Sequence, residues 1–171
     1  MTQEKPSPAK EKIASFYKEL ATASADLNSA ADELTKTVST VEEALRRLNL
    51  GVSAWHTIAG GDPDAEGYYW ARQIGYSEVE DEWCIALRKT WGNYNFDDFN
   101  EETWPFAKAP KWMRIESVGR LPDLIEDLLK RTVETTGKLK TKTEEAKELA
   151  AAIDAVAEEV RPKTSKPGRG K

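Results

Sequence analysis

Apolar residues recur every seven positions through the first third of the chain: Ile13, Leu20, Leu27, Leu34, Val41 and Leu48. Phe16, Ala23, Ala30, Thr37 and Ala44 occupy the complementary offset. This a/d heptad pattern predicts a long helix of the coiled-coil type. No proline or glycine interrupts the stretch from Ala9 to Leu50, and Gly51 supplies a stop. Alanines at the d positions permit close backbone approach to a partner, and Tyr17, Ala31, Val38 and Leu45 widen the stripe enough to meet more than one neighbour.

Helical periodicity resumes at Leu121-Pro122-Asp123, where proline suits a first helical turn and aspartate its positive end. Apolar positions from Leu124 through Leu128, Leu139, Leu149, Ile153 and Val156 to Val160 carry it to Arg161-Pro162, with Gly137 and several threonines weakening the middle. Two rods of nearly equal length fold most economically as an antiparallel pair.

Between the rods the pattern changes period. Val52–Ile58, Tyr68–Tyr76 and Trp83–Trp91 alternate as strands, with an acidic turn from Glu78 to Glu82. A loop from Gly92 to Pro110 follows, then a short helix from Lys111 to Val118. The expected fold is α+β and mostly α: a long antiparallel two-helix coiled-coil hairpin with a small three-stranded antiparallel β-meander plus a short helix inserted between the rods. Its parts are a disordered lead-in (1–8), the first rod (9–50), a Trp/Tyr-rich βββα head (51–119), the second rod (120–161) and a disordered basic tail (162–171).

Charge narrows the partners. The net charge of −5 combines five basic residues between Arg161 and Lys171 with a body at −10. So acidic a body repels phosphate, which leaves only weak nucleic-acid contact by the 161–171 tail. No apolar run approaches the roughly 20 residues of a membrane span. The single cysteine, Cys84, forms no intrachain disulfide and points to a reducing, cytoplasmic setting.

Candidate chemistry is sparse. Asp62, Asp64, Glu66 and Gly67 imitate the first half of a calcium loop, but Gln73 stands where a bidentate carboxylate is needed. One histidine, His56, and one cysteine leave a zinc site short of ligands, and no phosphate-binding glycine loop or nucleophile elbow occurs. Neither a metal nor a cofactor is expected, and the enzyme class ranks last, with the head's carboxylates or His56 and Cys84 as its only material.

Two groups remain as binding candidates. Tyr94, Phe96, Phe99 and Trp104 lie among acids in the long loop, either as a recognition surface or as rings folded into the core. Arg72, Arg88 and Arg114 would pair with that loop or hold an anion. The leading expectation is a non-enzymatic scaffold or oligomerisation protein, associating with itself or another helical protein through the seam Ile13, Leu20, Leu27, Leu34, Val41 and Leu48. The alternative is a ligand-sensing or regulatory module with a pocket in the aromatic head.

Overall fold

A computed structural model describes residues 8–160. The lead-in before residue 8 and the basic tail after residue 160 lie outside the described residues. The elements run α1 (Pro8–Arg47), β1 (Ala54–Gly61), β2 (Tyr68–Val79), β3 (Glu82–Asn93), β4 (Asp98–Pro105), α2 (Lys111–Ser117) and α3 (Leu121–Val160), with short 3-10 turns at Tyr94–Phe96, Phe106–Lys108 and Val118–Arg120. Two compact units result, one ending at Leu128 and the other starting at Leu129.

In the first unit the strands form one antiparallel meander in the order β1-β2-β3-β4. Glu80 and Asp81 join β2 to β3 with φ of 55° and 66°, the paired left-handed conformation of a tight hairpin. The register places His56, Ile74, Leu87 and Trp104 in one row, and Ala54, Tyr76 and Ile85 in the next. That face carries the core. Ile74, Tyr76, Ile85 and Leu87 pack with Val38 and Leu45 of α1, Met113 of α2 and Leu124 and Leu128 of α3.

The expected two-helix hairpin and three-stranded meander are both corrected. Of the seam positions, Leu34 and Val41 lie against the sheet's core, whereas Ile13, Leu20, Leu27 and Leu48 are exposed, Ile13 by 67% and Leu20 by 66%. In the second unit Leu139, Leu149, Ile153, Val156 and Val160 of α3 are exposed as well. Each unit therefore carries an exposed apolar stripe of its own. A heptad repeat specifies only that one helical face is apolar, and a sheet accepts part of that face as readily as a helix does.

The segment expected as a loop between Gly92 and Pro110 contains the fourth strand. Asp98–Pro105 pairs with β3 from Asn93↔Asp98 to Ala86↔Pro105. Its acids sit on a sheet edge, where charge discourages pairing with further strands.

Because β4 stops opposite Ala86, the first residues of β3 would have a bare edge. α1 covers it. The Ile85 amide donates to Glu42 (2.9 Å), the Arg46 guanidinium donates to the Trp83 carbonyl (3.3 Å), and the two side chains pair with each other at 2.8 Å. One helical turn thus supplies the acceptor and the donor that a strand would have supplied.

Candidate functional site

Helix α1 is the longest exposed apolar feature of the first unit. Toward its N-terminus Ile13, Phe16, Tyr17, Leu20 and Leu27 remain exposed, although the same helix is anchored by Val38 and Leu45. Beyond Leu27 the stripe runs into a groove of about 290 Å3 between α1 and α2, lined by Leu27, Ala30, Ala31, Leu34 and Ile115, with Lys111 and Arg114 at its margin. Ile115 is exposed, while Arg114 is buried. The Arg114 guanidinium donates to Thr35 (2.6 Å), and its Nε is buried without a partner. Lys111 bonds Asn28 across the groove margin.

The second unit presents a stripe of its own. Thr132, Leu139, Ala146, Ile153 and Val160 recur at seven residues, with Leu149 and Val156 between them. This repeat is visible in the sequence once the threonines are allowed to hold heptad positions.

The arginines expected as anion partners are held at three separate places. Arg72 pairs with Glu116 of α2 (2.7 Å) and lies over the rings of Trp70 and Trp112, at 4.7 and 5.3 Å from their centroids. Arg88 is fixed on the opposite sheet face by Gln73 (2.7 and 2.9 Å), by Glu101 (3.7 Å) and by the ring of Trp55 at 4.1 Å. Arg114 lies in the α1–α2 groove. No single anion pocket joins the three.

The aromatic candidates also divide. Trp104 packs against the core, whereas Tyr94, Phe96 and Phe99 are exposed, with the Tyr94 ring 4.4 Å from that of Tyr69. Trp70 and Trp112, which the reading of the sequence did not place in a site, make a cation–aromatic cluster around Arg72 on the core-bearing side of the sheet. Only the fold brings them together, because they lie on a strand and a helix that are distant in sequence.

A second cavity, of about 380 Å3, opens where the end of α1 meets the β2–β3 turn and the turn after β4; Glu42, Glu82, Cys84, Phe106 and Lys108 line it. Burial pushes the Cys84 thiol up to about 11, with the neighbouring Glu42 adding to the rise, so it is a protonated thiol at neutral pH and a poor nucleophile. His56 lies elsewhere, its Nδ1 2.8 Å from Asp127 and its Nε2 3.5 Å from Asp123 in the first turns of α3. β1 and β3 are separated by β2, or roughly 10 Å. The two side chains are therefore not a nucleophile and its base.

The Asp62–Gly67 segment is a turn. Asp64 accepts from the amides of Glu66 (3.0 Å) and Tyr68 (2.9 Å), and Gly67 takes a φ of 87°. Among the described residues no group of three or more His, Cys, Asp or Glu is arranged to hold a metal ion, and no helix is long and apolar enough to cross a membrane.

No protein-family model, curated protein or solved structure matches the chain.

Proposed function

We propose that this protein is a non-enzymatic assembly module, in which copies of the chain associate through their exposed heptad stripes and display the aromatic face of the sheet. The observation that carries the reading is α1 itself, a 40-residue helix anchored at one end with Ile13, Phe16, Leu20 and Leu27 left in water at heptad spacing. A contiguous apolar stripe of that length is rare on a monomer's surface and marks a place of association. Helices that project without tertiary contacts are marginal in water, so a partner also supports their helicity.

Alanines at 23 and 30 between the larger residues favour a close helix–helix approach. The protonated, buried Cys84 is compatible with a reducing compartment, the setting we infer. Light scattering during size-exclusion chromatography tests the proposal: the native chain elutes with the mass of two or more copies, and Leu20→Asp lowers that mass while tryptophan emission stays unchanged. A native mass of one chain overturns it.

A further inference from the structure

We propose that the groove between α1 and α2 receives the acidic end of α3, residues 144–160, from a second copy of the chain. This names the contact within the self-association proposed above and rests on it.

The groove has a small-residue floor, Ala30 and Ala31, walled by Leu27 and Leu34 on one side and Ile115 on the other. A helix entering it must present modest apolar side chains on a narrow seam. Residues 144–160 do so: Leu149, Ile153, Val156 and Val160 form an exposed stripe, and Ala150, Ala152 and Ala157 beside it keep the flanks low. Alanine facing alanine lets the axes approach at the short end of the usual 8–10 Å range.

Charge selects this segment over the chain's other exposed stripe. The groove margin is basic, and neither Lys111 nor Arg114 has a carboxylate partner among the described residues: Lys111 bonds Asn28, and Arg114 bonds Thr35 with its Nε unsatisfied. Residues 144–160 carry Glu144, Glu145, Glu148, Asp154, Glu158 and Glu159 against the single base Lys147. The exposed part of α1 is balanced instead, with Lys10, Lys12 and Lys18 against Glu11, Glu19 and Asp26. A basic margin therefore prefers the α3 stripe, and the like-charged ends of two such segments repel one another. In a two-chain assembly each copy gives its acidic helix to the other's groove, so the contact occurs twice about a two-fold axis.

Leu27→Asp spoils the groove and Ile153→Asp spoils the helix that fills it. Both residues are exposed, so neither change empties the core. Burying an aspartate in either surface costs association at least about tenfold. By light scattering each variant alone falls toward the mass of one chain. An equimolar mixture recovers a two-chain species, because the Leu27→Asp chain still carries an intact helix and the Ile153→Asp chain an intact groove. Circular dichroism confirms that both variants keep their helices.

If Ile153→Asp keeps the native mass, or the mixture gains none, this inference falls while self-association through α1 stands. If the native chain is itself monomeric, both fall together.

Discussion

Several residues in the sheet are held by contacts that a single substitution would test. The indole of Trp55 packs on Gly75: a Cβ built there would come within 2.3 Å of the ring, and the Arg88 guanidinium lies over the same ring at 4.1 Å. Gly75→Ala should therefore lift the indole and cost about 1–3 kcal/mol by overpacking, measured as a lower urea midpoint with altered Trp55 emission. Asp81 carries the opposite kind of strain, a non-glycine residue at φ 66°. Asp81→Gly is expected to stabilise the hairpin by about 0.5–1 kcal/mol, read as a rise in melting temperature.

Cys84 predicts a pH dependence. Burial raises its pKa from an ordinary 9.0 to about 11, so the unfolded chain releases this proton before the folded one does. The stabilisation is complete below pH 9 and is lost as pH climbs to about 11, on the order of 2 kcal/mol over the window. Unfolding free energies at pH 8 and pH 11 should show that loss in the native chain and a smaller one in Cys84→Ala.

At the scale of elements, α1 serves two roles along its length, and the change occurs near Leu34. Beyond that point it is a core helix whose Glu42 and Arg46 complete the edge of β3. Glu42→Ala leaves the Ile85 amide without its acceptor, which should cost about 1–3 kcal/mol and raise hydrogen exchange at that amide. Faster exchange confined to α1, with Ile85 unchanged, would contradict this edge-capping role.

The sequence made local periodicity legible at this scale but not the partners of each face. α1 ends at Arg47, before the expected stop at Gly51, and Asn49 with φ 47° is the first left-handed residue beyond it, whereas Pro110 does lead directly into α2. What the heptads of α1 would pack against was not legible, because Leu34 and Val41 look the same in a list of a positions whether a helix or a sheet receives them. β4 was hidden because its alternation is carried by Asn100, Glu102 and Trp104, two of them polar, as befits an edge strand. The Trp70–Arg72–Trp112 cluster was legible only in part: Trp70 and Arg72 alternate onto one face of β2, but Trp112 comes from a different element, α2. The α1–α2 groove has the same origin, with Ile115 set opposite Leu27 by tertiary packing alone.

For the whole molecule, the proposal that these faces support is association. Stripes on α1 and α3 remain in water although each has the spacing of a helix–helix seam, and the groove margin lacks the carboxylates that α3 carries in excess. Assembly built on that charge pairing should weaken with salt: raising ionic strength from about 0.05 to 0.5 M screens it and should lower the association constant severalfold, measurable by sedimentation. The measurement that bears most directly on the account is the mass of the native chain in solution across a concentration series at low salt. A mass of two or more chains that declines on dilution is the predicted result. A single-chain mass at every concentration, with the helices intact, would contradict it.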